Sequence, residues 1–451
     1  MKTIFISILS GVEAKAILRT DILATLLARE DIRIILFVKN AARVAFYEKE
    51  FSNPRVCYEI ISAYEFSPLN AVFEFLKNFL VRTDTLVLYR RLLLIDRKNI
   101  FAFCFGSLLS FLLARPFSRR AARFLDARFA RDSIFSELFN RYQPSLVFLA
   151  NLFDAVEVSM LREAKRRGVK SVGLINSWDK IASKGFLRLL PDAMIAPNHI
   201  VKEEAVLYDD VPSEKIFVSG VPQYDMYWNT DGILPRASFF QKIKIDPKKR
   251  LVIFGPIGKT LSNSDWEMID HLHALLEAHI PEAELLVRFQ PNDFAGDEAE
   301  FSKRPWLHAD VPGVRFGIGI GMDWDMTTAE LLHLKNTLFH CSLLVSYASS
   351  ISIDAAVFDK PVINIGFEIR TCDPAWKQPT QRYATVHYKK ALATGGIRLV
   401  KSESELIEWI KKYLTHPELC SAGRSRLVHE QCVYTDGKTG KRIAEFLLRQ
   451  L

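Results

Sequence analysis

In SYASSISIDAAVFDKPVINIG (residues 346–366), Ser349 and Ser350 follow an apolar, strand-like run, and Asp354 stands one helical turn further on. In an open parallel sheet, ligands bind beyond the carboxyl ends of the strands, where the next helix offers free N–H groups and the positive end of its dipole. Two hydroxyls at that place could hold a pyrophosphate, and a carboxylate one turn in could accept from a ribose diol. A plain serine N-cap with a solvent-facing aspartate is the alternative. A second run, ELLVRFQPND (284–293), ends in Arg288, with Gln290, Pro291 and Asn292 behind it. A guanidinium makes bidentate contacts to a diphosphate, so Arg288 and Gln290 join the serines on one rim. An arginine paired with a surface acid is the competing reading. LVIFGPIGKT (251–260) lacks the first glycine of a Walker phosphate loop, Ile253 standing in its place. What remains is a glycine-bearing turn, opened by Gly255, where backbone can approach a ligand closely.

A denser set of groups lies in INSWDKIASKG (175–185), which puts Ser177, Trp178, Asp179, Lys180 and Lys184 on one strand-to-helix loop. Asp179 could act as a general base and Lys180 or Lys184 could neutralise phosphate, unless the aspartate merely caps the next helix. The first loop, SGVEAKAILRTD, brings Glu13 and Arg19 toward the same edge. DWD (323–325) has the spacing of an Asp-x-Asp pair for a divalent ion, but Thr327 and Glu330 form a T-x-x-E capping box immediately afterwards. Helix initiation explains those acids, so no metal and no cofactor are expected.

These groups need a frame of strand ends. TIFISIL, IRIILFV, SLVFLA, SVGLIN, AMIAP and IFVSG read as strands in the first half, and LVIFG, ELLVRF, VRFGI, SLLVSY and PVINIG in the second. Continuous apolar runs alternating with helical patterns indicate parallel sheets covered on both faces. The expected architecture is therefore α/β, with two doubly wound Rossmann-like domains facing a cleft. The spacing predicts domains over 1–220 and 251–420, a linker over 221–250 where prolines and Asn-Thr-Asp-Gly break the rhythm, and a helical tail over 421–451.

Length and composition agree, since 451 residues exceed one ordinary core, and 49% hydrophobic with 25% charged residues is globular. Six scattered cysteines without metal spacing read as core thiols in a reduced, cytoplasmic compartment. The apolar run in MKTIFISILSGVEAK is short and is followed by Glu13 and Lys15, which favours a first strand over a signal peptide.

Charge is concentrated in one segment. Residues 82–132 carry eleven basic against four acidic side chains, +7 of the chain's formal +8, around the uncharged run IFAFCFGSLLSFLLA (100–114). That run is too short to span a bilayer, so it reads as a buried helix or an interfacial one. Arg115, Arg119, Arg120, Arg123 and Arg128 could then meet an anionic membrane surface from the cytoplasmic side. Nucleic acid is not the expected partner, because the basic residues flank aliphatic sequence rather than exposed aromatics.

The SSxSxD-AA-x(4)-P-V-I-x-I-G block and the strand ending R-x-Q-P-N-D resemble the GT-B fold of nucleotide-sugar glycosyltransferases. SWDKIASKG, IFVSGVPQYD, DMTTAEL and DGKTGKRIAEFLL resemble, more narrowly, bacterial surface-polysaccharide (capsule or lipopolysaccharide) transferases related to CDP-glycerol glycerophosphotransferases. The resemblance covers most of the chain from Asn151 onward. It implies that Arg288, Ser349, Ser350 and Asp354 fall in a donor-nucleotide site that the SWDK loop faces across the cleft; by position alone, Gly255 and Gln290 are expected on the donor side and Glu13 and Arg19 on the acceptor side. It also implies transfer of a sugar from a nucleotide-sugar donor to a lipid-linked or surface-glycan acceptor. Relatives commonly carry R-P-H-P where this chain has Arg288-Phe289-Gln290-Pro291, and the missing histidine argues against a glycerophosphate donor. A CDP-polyol phosphotransferase, a sugar-nucleotide epimerase and a non-catalytic membrane-associated module remain as alternatives.

Overall fold

The computed structural model describes residues 1–451 except 62–66, 133, 292, 294–296 and 318–322; Asn292 of the rim motif lies outside the described residues. The chain divides into two compact units. The first comprises Met1–Arg91, Asn99–Asp225 and Gln431–Leu451, and the second Leu92–Lys98 and Met226–Glu430.

The first unit is built on a seven-stranded parallel sheet: β1 (Lys2–Ser7), β2 (Ile32–Val38), β3 (Val56–Ile60), β4 (Leu146–Leu149), β5 (Lys170–Leu174), β6 (Ala193–Ala196) and β7 (Ile216–Val218). Their order across the sheet is β3-β2-β1-β4-β5-β6-β7. Alternate residues enter different cores: Ile4, Ile34 and Leu146 face one side, Phe5, Ile35 and Val147 the other. Two covered faces leave no place for polar residues, which is why these strands are continuously apolar.

The second unit holds β8 (Arg250–Gly255), β9 (Ala283–Arg288), β10 (His308–Asp310), a two-stranded antiparallel ribbon of β11 (Val314–Arg315) and β12 (Trp324–Asp325), then β13 (Leu343–Ser346), β14 (Val362–Ile365) and β15 (Arg398–Val400). Its six-stranded sheet runs β10-β9-β8-β13-β14-β15. VRFGI therefore supplies a bridge of the small ribbon rather than a strand of the main sheet. Both sheets reverse direction beside their first strand, the doubly wound arrangement.

Two expected boundaries change. The units part at Asp225/Met226, and the rest of the stretch predicted as a linker belongs to the second unit: Phe239 and Phe240 are fully buried there, and Asn336 bonds the backbone of Gly232 and Leu234. Aromatic pairs need burial, and this one outweighs the turn-forming residues around it. The tail also splits, because Arg424 pairs with Asp359 at 2.7 Å in the second unit, whereas Ile443, Ala444 and Leu447 enter the first unit's core. Gly440 lets that closing helix approach closely, since a Cβ there would lie 2.9 Å from the Asp21 nitrogen. All six cysteines are free thiols, but only Cys341 and Cys432 are buried; Cys104 and Cys372 are exposed, so "core thiols" holds for a minority.

Candidate functional site

In the second unit the strand order reverses between β8 and β13, and in register Gly255 pairs with Ser346. Ligand crevices in such sheets open beyond a switch point of this kind. Beyond Ser346 lies the turn Tyr347–Ser350, with Ser349 half-buried and Ser350 exposed. The Ser350 backbone is helical and its side chain makes no capping bond, while the Ser349 hydroxyl accepts from Ile351 N–H at 3.5 Å. A buried network underlies this turn. The Asn364 amide donates to Ser346 Oγ at 3.0 Å and to the Tyr347 carbonyl at 3.1 Å, and Tyr388 Oη donates to Asn364 Oδ1 at 2.6 Å. Ser352 Oγ lies 3.1 Å from the same phenol. A polar residue inside an apolar strand must be satisfied, and Asn364 is satisfied by fixing the serine turn.

The other expected donor-side groups are engaged within the protein. Asp354 is buried and accepts from Tyr227 Oη at 2.7 Å, so it does not stand on an exposed turn waiting for a ribose. Arg288 follows the register pair Phe254–Val287, beside Gly255, but is 6% exposed and ion-paired with Asp310. Burial alone would raise the Asp310 carboxyl; His333, at 3.3 Å, and Arg288 together hold it below its ordinary value. The paired-arginine alternative thus describes Arg288 in this structure. Gln290 donates to the Ile257 carbonyl at 2.6 Å.

The loop after β8 spends its own N–H groups as well. Gly258, at φ +97°, donates to Asp265 Oδ2 at 2.8 Å, and Lys259 N–H donates to Asp293 Oδ2 at 2.9 Å. Burial pushes the Asp265 carboxyl up to about 6 despite those bonds. Two aspartates thus take N–H groups that a phosphate loop would direct at its ligand. At DWD, Asp325 accepts from Met326 N–H at 2.6 Å, and the Thr327–Glu330 capping box is formed. Among the described residues no group of three or more His, Cys, Asp or Glu side chains has the arrangement of a metal site.

In the first unit the switch point falls between β1 and β4. Glu13 is 1% exposed and accepts from the N–H groups of Leu9 and Ser10 at 2.6 and 2.5 Å, opening the helix Gly11–Ile17. It is a buried capping residue and not an acceptor-side surface group. Asn151, just past β4, connects three charged side chains: its amide donates to Glu13 at 3.3 Å, its N–H donates to Glu157 at 2.7 Å, and its Oδ1 accepts from Lys180 Nζ at 2.7 Å. Burial and the charge on Asp154 raise the Glu13 carboxyl, and burial and Glu13 raise Glu157 further; burial lowers Lys180.

Asp179 is held by hydrogen bonds from the hydroxyls of Ser177 and, at 3.2 Å, Ser183. Trp178 is half-buried and Lys184 exposed on the same loop. Beside them both polar atoms of the Asn176 side chain are buried without a partner among the described residues. Arg19 is the member that does not belong: its side chain is 1% exposed, pairs with Glu50 at 3.3 Å and lies 5.5 Å from the Phe46 ring centroid. It packs against the helix Ala41–Phe51.

Asn151, Asn176, Glu157, Asn364 and Tyr388 are absent from the sequence expectations. Asn364 is legible in hindsight as the one polar residue of VINI, and Glu157 as the last position of the D-x-x-E that begins the helix Ala155–Arg167.

No protein-family model matches the sequence, and no curated protein does. Solved structures match along the full length. UDP-GlcNAc 2-epimerase of Neisseria meningitidis bound to UDP-GlcNAc has a TM-score of 0.58 at 14% identity, covering 100% of both chains. Staphylococcus aureus MnaA in a co-structure with UDP gives 0.56 at 12%, covering 100% of this chain and 98% of that one. The Methanocaldococcus jannaschii UDP-GlcNAc 2-epimerase gives 0.53 at 13%, covering 100% of both. The likeness is one of fold: two parallel-sheet α/β domains of the GT-B type.

Proposed function

We propose that the chain is a glycosyltransferase that moves a sugar from a nucleotide-sugar donor to a lipid-linked or surface-glycan acceptor. One observation carries the reading. At the switch point of the second sheet two small residues, Gly255 and Ser346, end adjacent strands beneath the Ser349–Ser350 turn, which Asn364 and Tyr388 brace from within. A rim of small residues, hydroxyls and backbone N–H groups suits a diphosphate. The UDP-GlcNAc and UDP held by proteins of the same fold support a nucleoside diphosphate as ligand.

In this reading Ser349 and Ser350 hold the departing diphosphate and stabilise the charge it gains. Arg288 remains with Asp310 and acts at most through its field. On the acceptor side, Asp179, oriented by Ser177 and Ser183, receives the acceptor's proton, with Lys180 as its neighbouring cation. Epimerisation of the nucleotide sugar is the second reading, favoured by the activity named for the N. meningitidis and M. jannaschii structures.

Thermal melting against UDP, CDP, GDP and dTDP tests the common part, since a specific nucleotide at a hundredfold excess over its Kd stabilises by about 2.7 kcal/mol. No stabilisation by any of them ends the proposal. Incubating the protein with UDP-GlcNAc alone and following the anomeric protons by NMR separates the two readings. An epimer appearing without acceptor favours the second; a donor consumed only when glycan acceptor is added favours the first.

A further inference from the structure

The helices Ile100–Leu113 and Pro116–Phe129 of the first unit are built inside out. On the first, the buried positions are Gly106 and Ser110, while Ile100, Phe101, Phe105, Leu108, Phe111 and Leu112 are exposed, Phe101 at 80%. On the second, the buried side chains are Arg119 and Asp126, while Phe117 is 82% and Phe124 67% exposed. The inward charged groups of the second helix are paired within the protein: Arg119 forms a two-bond pair with Asp210, and Asp126 pairs with Arg162 and with Arg188 at 2.8 Å. Arg123 is likewise committed, donating to the Asp209 carbonyl at 2.5 Å and lying 4.2 Å from the Phe186 ring centroid. Two of the five arginines that the sequence offered to a membrane are therefore structural.

We infer that this helix pair is an interfacial anchor that lies in the headgroup region of an anionic bilayer, its aromatic face among the acyl chains. Water is a poor solvent for a continuous apolar face of this size, and such patches mark interaction sites. The charge pattern identifies the occupant. Residues 100–129 contain one carboxylate, Asp126, and it is buried and paired, whereas Arg115, Arg120 and Arg128 are exposed. The face thus offers hydrocarbon with cations of a single sign and no exposed acid, which matches an anionic lipid surface. A second copy of the chain fits less well, because a two-fold interface would set these arginines against themselves. Neither helix spans alone: a 14-residue helix is roughly 21 Å long, short of the roughly 30 Å hydrocarbon core, and the two meet at a 91° bend rather than in one straight rod. The inference stands apart from the reading of the nucleotide site.

The test is flotation of the full chain with phosphatidylcholine vesicles, with and without about one third phosphatidylglycerol. The expected result is binding to the anionic vesicles, weakened severalfold when salt rises from about 0.1 M to about 1 M. Replacing Phe101, Phe105 and Phe117 by serine should reduce binding at least tenfold. Arg115→Gln/Arg120→Gln/Arg128→Gln should reduce it and flatten the salt dependence, with the melting temperature in the absence of vesicles unchanged in both variants. Should a variant fold poorly, an environment-sensitive dye on exposed Cys104, in a chain carrying Cys57→Ser, Cys372→Ser and Cys420→Ser, gives a second readout: a blue shift with anionic vesicles supports the inference. No flotation and no blue shift at low salt overturns it. So does equal binding to neutral vesicles at all salt concentrations, or a dimer that Phe101→Ser dissociates and vesicles leave intact.

Discussion

The Tyr227 hydroxyl donates a 2.7 Å hydrogen bond to the Asp354 carboxylate, and both side chains are withdrawn from water. That bond ties residues just past the division between the units to the helix that follows the serine turn. It gives Asp354 a structural task where the sequence suggested a ligand contact. Tyr227→Phe removes one partner of a buried carboxylate, a loss of about 1–3 kcal/mol. Urea unfolding should register it, while affinity for a nucleoside diphosphate stays within about twofold; an affinity loss without a stability loss would return Asp354 to the ligand.

Arg288 and Asp310 should behave as one unit. Removing one member of a largely buried pair typically costs about 3–5 kcal/mol, a loss that His333, 3.3 Å from Asp310, reduces for Arg288→Ala. Arg288→Ala is therefore expected to lower stability strongly, and the added Asp310→Ala to restore part of it. A double-mutant cycle on urea midpoints checks this. Additive losses would show the two side chains to be energetically independent.

Gly258 sits at φ +97°, and a Cβ there would lie 2.0 Å from Asp293 Oδ2. Gly258→Ala combines backbone strain of about 1–3 kcal/mol with that clash. The melting temperature should fall by several degrees, with partial recovery on adding Asp293→Ala, which clears the oxygen but not the dihedral. An alanine variant that melts with the native chain would mean the loop rearranges freely.

Burial pushes the Asp209 carboxyl up to about 7, with Arg123 and the Leu187 N–H opposing the rise incompletely. Between about pH 4 and 7 the native state keeps a proton that the unfolded chain has released, so this group's contribution falls as pH rises through that window and stays low above it. Asp209→Asn should flatten that part of the pH dependence, gaining stability at pH 8 relative to pH 5. Parallel profiles of urea midpoint for the two proteins would refute the assignment.

Strands were legible where burial is two-sided. TIFISIL, IRIILFV, SLLVSY and PVINIG all lie in sheet interiors, and their unbroken apolar character follows from covered faces. In the two main sheets the unread strands, Val56–Ile60, His308–Asp310 and Arg398–Val400, are edges: partly exposed and, in two cases, three residues long, too short for any period to emerge. The site divides similarly. The rim of Gly255, Ser349 and Ser350 follows from strand-end logic, which is local. The fates of Arg288, Asp354 and Arg19 are set by Asp310, Tyr227 and Glu50, partners that only the folded chain selects, whereas the capping role of Glu13 is local to Ser10-Gly11-Val12-Glu13 and went unread. Charge counting found the basic segment but could not tell inward arginines from outward ones, because one helix carries both.

The return of Ile443, Ala444 and Leu447 to the core of β1 and β2 also sets a timetable. Those strands leave the ribosome roughly 400 residues before the side chains that cover them, an interval on the order of 20–90 s at ordinary elongation rates. The second unit, nearly continuous in sequence, can complete itself first, inverting the usual amino-to-carboxyl order. During that wait the half-built first unit shows an apolar seam to whatever surrounds it, and translation that stalls anywhere before Ile443 leaves the seam open. Synthesis of this protein thus includes a period of exposure that lasts until the helix Thr439–Leu448 arrives.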